Sequence, residues 1–220
     1  TAVRLDPTFS RAYAGLSFTH FQNAYQGWTK RGPEVDRAFE MAGQSLMADD
    51  RDPAAHWAMG RALWLRYQFD QSIAELEQCI DLSPNFALGH YMLAFANATG
   101  GDMQSAILSS DRSRDLSPFD PMLFGMFGSR AMALVRLKRF DEAAEWGVRA
   151  AARPNAHAHI LAIAAYSLTL AGRIEEARTY MAAIRKTLPR YEVKDFLTAM
   201  QISDDGVVLF GKAEKLLNKK

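Results

Sequence analysis

A single cysteine, Cys79, among 220 residues excludes an internal disulfide. No apolar run approaches the roughly 18 residues that a membrane-spanning helix needs. Neither sign of charge dominates, because 26 Lys and Arg stand against 25 Asp and Glu for a net charge of +1. That balance leaves no broad basic field for nucleic acid and no acidic excess for a cationic partner. Gly100-Gly101 lacks the preceding strand and the Lys-Ser/Thr ending of a phosphate-binding loop. A Gly-x-Ser-x-Gly nucleophile elbow is also missing. No leader segment is visible. The chain opens Thr1-Ala2-Val3-Arg4-Leu5-Asp6-Pro7. This reads as the tail of a helical repeat, so the expectation is a piece of a longer protein cut at a domain boundary.

The residues with chemical potential are scattered. His20, His56 and His90 fall inside helical patterns and read as part-buried helix residues. His157 and His159 are two apart, which on a helix turns them about 200° from each other and denies them a shared metal unless that stretch is extended; a helix N-terminal pair with ordinary packing is the expectation. Asp49-Asp50-Arg51-Asp52 precedes Pro53 and reads as a turn with capping duty, without the ligand spacing of a calcium loop. Cys79 occupies a small, core-facing position. Lys212, Lys215, Lys219 and Lys220 read as a solvated terminal face. The expectation is therefore no catalytic residue, no metal and no cofactor.

What the chain does carry is a period. Pro84 and Pro118 are 34 residues apart, and Pro154 and Pro189 continue the series. Small residues recur in register: Gly60, Ala94, Ala131 and Ala165 mid-way along a first helix, Ser72, Ala106, Ala143 and Ala177 early in a second. A bulky side chain at either place would overpack a helix contact, at about 1–3 kcal/mol. Gly100-Gly101-Asp102, Lys138-Arg139 and Gly172-Arg173 separate the helices, and each proline closes a second helix. The units are 8–50, 53–84, 87–118, 121–154 and 156–189. In the first, Phe21 to Pro33 reads as an extended first helix and a longer loop, with Val35 to Ala48 as the partner helix. Residues 190–220 read as two capping helices, Tyr191 to Met200 and Val207 to Leu217, with Asp204 or Asp205 as N-cap.

A period of about 34 with these small residues strongly resembles tetratricopeptide-repeat proteins. It implies an all-α, right-handed superhelical solenoid of about five hairpins with C-terminal capping helices. A narrower resemblance rests on Arg11-Ala12-Tyr13-Ala14-Gly15-Leu16 with Gly27-Trp28, on Arg153-Pro154-Asn155-Ala156-His157-Ala158-His159, and on Pro189-Arg190-Tyr191 with Asp195-Phe196-Leu197. These look like the C-terminal repeat region of bacterial class III adenylate/guanylate cyclases, related regions of which follow winged-helix regulators. The resemblance implies a non-catalytic, cytoplasmic interaction module of a signalling protein that regulates an upstream domain. A preceding transmembrane helix would make it periplasmic instead. The cyclase's own catalytic residues have no counterpart in this chain.

In such solenoids the first helices line a concave groove. The side chains flanking each small mid-helix residue would face it: Phe18 and Phe21, then Trp57, Arg61 and Trp64, then Leu88, Tyr91 and Phe95. Met132 and Arg136, then Tyr166 and Leu170, complete the set. Aromatics with Arg are typical anchors for a partner, and the set suits an apolar peptide or an amphipathic helix rather than a Lys/Asn carboxylate clamp. Two readings stay open here. The set forms a protein- or peptide-binding groove, or it is internal packing beneath the long first helix and its Trp28 loop. Self-association into a homodimer is the alternative role for the module. Neither nucleic acid nor membrane insertion is expected of it.

Overall fold

The computed structural model describes residues 2–219. Every regular element among them is a helix, and there are thirteen. A short α1 (Ala2–Leu5) precedes α2 (Ser10–Gln26) and α3 (Arg31–Ala48). Then follow α4 (Pro53–Leu65) with α5 (Phe69–Leu82) and α6 (Ala87–Gly100) with α7 (Met103–Leu116). The rest are α8 (Leu123–Arg136), α9 (Phe140–Ala151), α10 (Ala158–Leu170), α11 (Ile174–Thr187), α12 (Val193–Met200) and α13 (Asp204–Leu217). The chain divides into two compact units, the first ending at Ala96 and the second beginning at Asn97.

The turns explain why the helices stop where they do. After α4, α8 and α10 one residue takes the left-handed conformation: Tyr67 (φ 63°), Lys138 (φ 60°) and Gly172 (φ 80°). In each turn the same two bonds form. The amides of Gln68, Arg139 and Arg173 reach back to the carbonyls of Leu63, Leu134 and Leu168. The amides of Tyr67, Lys138 and Gly172 reach Trp64, Val135 and Thr169. This pattern satisfies carbonyls that a helix end leaves without partners. Only Gly172 holds that conformation without the penalty that a Cβ brings. Starts are capped by side chains: Asp52 accepts from the Ala54 amide at 3.0 Å, with Pro53 at the first helical position. Asp102 accepts from the Ser105 amide at 2.7 Å.

In the first unit α2 packs along α3, and α4 lies against α2, α3 and α5. Small residues let the backbones approach. A Cβ on Gly60 would sit 2.6 Å from Leu76 Cγ, and the Ser72 hydroxyl donates to the Gly60 carbonyl at 2.7 Å. In the second unit α7 to α11 pack in sequence, and α13 lies against α8, α10 and α11. There a Cβ on Gly147 would meet the Ala164 backbone at 3.0 Å.

Three local expectations change. The loop expected within Phe21 to Pro33 is short. Helix α2 runs to Gln26, Gly27 turns it off at φ 67°, and α3 starts at Arg31 rather than Val35. Pro33 is tolerated because its missing N–H lies in the first turn, where no intrahelical partner exists. The N-cap of α13 is Ser203, with Asp204 and Asp205 in the first turn, where their charge favours the helix dipole. His157 caps α10 in an extended conformation (φ −98°, ψ 176°) instead of lying in the helix. The 200° separation from His159 therefore does not apply, and the two rings meet edge to face at 5.6 Å.

Candidate functional site

The first unit gathers its expected residues around one buried cation. Phe18, Phe21 and Tyr25 recur on one face of α2, Trp57, Arg61 and Trp64 on one face of α4, and Leu88, Tyr91 and Phe95 on one face of α6, all at helical spacing. Trp64 and Phe95 stand 4.8 Å apart, Phe21 is 6.0 Å from Trp64, and Tyr25 is 6.2 Å from Phe95. Phe18 stacks on Trp57 at 5.6 Å. The Arg61 guanidinium lies within this cluster, 3.9 Å from the centre of the Phe21 ring, 4.5 Å from Phe18 and 4.7 Å from Trp57. Such cation–π contacts are worth about 0.5–2 kcal/mol each.

Arg61 is only 4% exposed. Its Nε is buried without a hydrogen-bond partner. Burial pushes the guanidinium down to about 9, with Tyr91 and Tyr25 acting in the opposite direction. It is still charged at neutral pH. The indole Nε1 of Trp57, a residue 8% exposed, is likewise buried with no acceptor. Phe21, Trp64 and Phe95 are buried in this cluster, whereas Phe18 and Tyr91 are half-buried, as is Leu88 on α6. Trp28, expected as a cover, is 69% exposed. The cover is α2 itself, and Tyr25, one turn beyond Phe21, is the cluster member that the groove pattern passed over.

The second unit treats its expected residues differently. Met132 and Tyr166 are buried, Leu170 is half-buried, and Arg136 keeps a side chain only 7% exposed. Tyr166 packs against Phe196 at 5.3 Å and Phe210 at 6.0 Å, and those two rings are 4.9 Å apart. The terminal helices α12 and α13 therefore cover this face. Arg136 donates through Nε to Asp205 at 2.9 Å and through one terminal nitrogen to the carbonyls of Asn97, Ala98 and Gly101 at 3.2–3.3 Å. A guanidinium with four acceptors inside its own chain is a structural tie, so the expected partner-orienting role of Arg136 gives way to that one. Burying a charged side chain this deeply costs least when its donors are satisfied.

The remaining histidines and the cysteine are accounted for locally. His20 bonds Glu34 at 2.6 Å and His56 bonds Glu75 at 2.7 Å. His159 Nδ1 meets the Tyr191 hydroxyl at 2.8 Å. Burial, reinforced by His159, holds His157 down at about 3, and burial holds His159 at about 4. The Cys79 thiol is buried and pushed up to about 12 by burial and by Asp52, which leaves it unreactive. No cluster of three or more His, Cys, Asp or Glu able to hold a metal occurs among the described residues. No helix among them is long and apolar enough to cross a membrane.

No family model matches the chain, and no curated protein does. Solved structures do. A thermophilic tetratricopeptide-repeat protein of Thermus thermophilus, TTC0263, is 15% identical, with a TM-score of 0.62 over 90% of this chain and 98% of that one. PilW, a type IV pilus biogenesis factor, is 14% identical, with a TM-score of 0.64 over 90% and 92%. YrrB, described as a tetratricopeptide-repeat protein with an unusual peptide-binding site, is 15% identical, with a TM-score of 0.50 over 91% and 96%. At such identities the likeness shows the fold. This chain has the all-α fold of tetratricopeptide-repeat proteins, built from consecutive helical hairpins.

Proposed function

We propose that the chain is a non-catalytic protein-interaction module whose partner docks on the first unit. The single observation behind this reading is the half-buried Phe18 and Tyr91 beside two buried donor atoms without protein acceptors, Arg61 Nε and Trp57 Nε1. Half-buried aromatic and aliphatic side chains around buried polar groups are the usual make-up of a binding patch. YrrB, a protein of similar fold, is described as having a peptide-binding site, which supports a peptide segment as the partner. In this reading the five hairpins from residue 8 to 189 are the repeat units, and α12 and α13 are the cap that closes the last apolar face. The wider setting, beside an adenylate/guanylate cyclase domain in a cytoplasmic signalling protein, rests on the sequence resemblance alone.

The test is a peptide-display selection against the chain, followed by affinities of the selected peptides for Tyr91→Ala and Phe18→Ala. Both side chains are half-buried, so these variants should fold. Selected peptides should lose at least tenfold in affinity for both. A selection that yields nothing, or binders indifferent to both changes, defeats the reading. Sedimentation over a wide concentration range checks the alternative, since a stable dimer would assign the patch to a second copy.

A further inference from the structure

The two arginines show what this chain does with a buried guanidinium, and only one of them is satisfied. Arg136 has a carboxylate and three carbonyls. Arg61, no less enclosed, has aromatic faces around it and an Nε with no acceptor. Ring faces attract a cation but cannot accept along the in-plane N–H directions of a guanidinium. Trp57 Nε1, on a ring 4.7 Å from that guanidinium, is a second buried donor with the same lack. Two buried donors, one of them charged, call for an anionic acceptor. The surroundings specify its shape: with Arg61 4% exposed and ringed by Phe18 and Phe21, the acceptor must arrive on a thin apolar stem.

We propose that Arg61 and Trp57 form a subsite for the side-chain carboxylate of an acidic residue within an otherwise apolar peptide, with Phe18 and Tyr91 contacting its apolar neighbours. This deepens the interaction-module reading and rests on it. A glutamate brings only methylenes past the rings. A chain terminus would carry its own amide N–H into a site whose two orphaned polar groups are themselves donors.

The test uses nitrogen-15-labelled protein and follows the Arg61 Nε–H and Trp57 indole N–H resonances. Small probes are 3-phenylpropionate and its neutral amide at millimolar concentration. Peptide probes are an acetylated, amidated apolar pentapeptide with central Glu, its Gln counterpart, and that Gln peptide with a free C-terminal carboxylate. Both resonances should move saturably with the acid and the Glu peptide and stay still with the amide and the Gln peptide. Arg61→Met should abolish the Trp57 response while its melting temperature stays at or above that of the native chain. Equal response to acid and amide, no response to either, or response only to the free C-terminus overturns the proposal. So does a melting temperature several degrees lower for Arg61→Met, because the rings alone would then be satisfying the cation. The broader reading stands or falls separately. Display-selected peptides that depend on Tyr91 but not on Arg61 would keep the module and remove this subsite.

Discussion

Both units bury aromatic clusters with an arginine nearby, and they finish the job in opposite ways. In the second unit the terminal helices supply what the first helices lack. Phe196 and Phe210 cover Tyr166, and Asp205 answers Arg136. In the first unit α2 supplies Phe18, Phe21 and Tyr25, which bury Arg61 without answering its charge. In the second cluster the Tyr166 hydroxyl is also buried without a partner, but Arg136 has acceptors in its own chain. A cluster that leaves a charged donor in an apolar setting has a place for something outside the chain. The difference lies in the acceptors of the arginine rather than in hydrophobic area.

The largest effect should come from removing the rings that complete the second unit. Phe210→Ala or Phe196→Ala opens a cavity beside two other buried rings and should lower stability by about 3–5 kcal/mol in urea unfolding. The matching changes in the first unit, Phe18→Ala and Tyr91→Ala, fall on half-buried side chains and should cost markedly less. Equal losses would erase the contrast between the buried rings and the half-buried ones.

The arginines sharpen it further. Arg136→Met takes the donor from three carbonyls and breaks the ion pair to a half-exposed Asp205, and should cost about 2–3 kcal/mol. Arg61→Met strands nothing and should be neutral or stabilising, as replacing an uncompensated buried charge often is. Paired denaturation curves decide this, and a loss for Arg61→Met as large as that for Arg136→Met would refute it.

Acid should weaken the second unit through His157 and His159. Their folded values, about 3 and about 4, lie below the usual 6.5, so the unfolded chain takes up protons first. Stability should be level above pH 7 and should fall from about pH 6.5 downward, until the folded-state values are reached. Between pH 7 and 5 the loss should be roughly 2 kcal/mol for the pair, because both rings keep some exposure. Melting curves of a His157→Asn/His159→Gln variant should be flatter across that interval.

The smallest effects belong to the turns. Lys138→Gly relieves a left-handed residue and should gain about 0.5–1 kcal/mol. Gly172→Ala should lose about the same. If both changes destabilise, the shared turn geometry is not what limits these positions.

The repeat was legible because its constraints are local in sequence. A small residue where two backbones meet, a leucine whose carbonyl ends a helix and a proline that stops the next one all recur at nearly fixed spacing. Gly60 against Leu76 and the Leu63, Leu134 and Leu168 turns are the physical content of that period. The aromatic spacing also pointed to one face per helix, and Phe18, Trp57, Arg61 and Tyr91 do meet.

What spacing alone left open was whether those residues line a groove or a core, since helical periodicity marks a contact face without saying what contacts it. His157 escaped because an N-cap breaks the helix register at the residue whose angle was being inferred. Arg136 escaped because its carboxylate lies 69 residues later, at Asp205, too far along the chain for spacing to reveal. The helices, their lengths and their small-residue seams follow from short-range sterics and backbone bonding, and a sequence displays these directly. Which arginine finds an acid and which is left among rings is settled only when distant segments pack, because a charge is neutralised by whatever lies within a few ångströms in space.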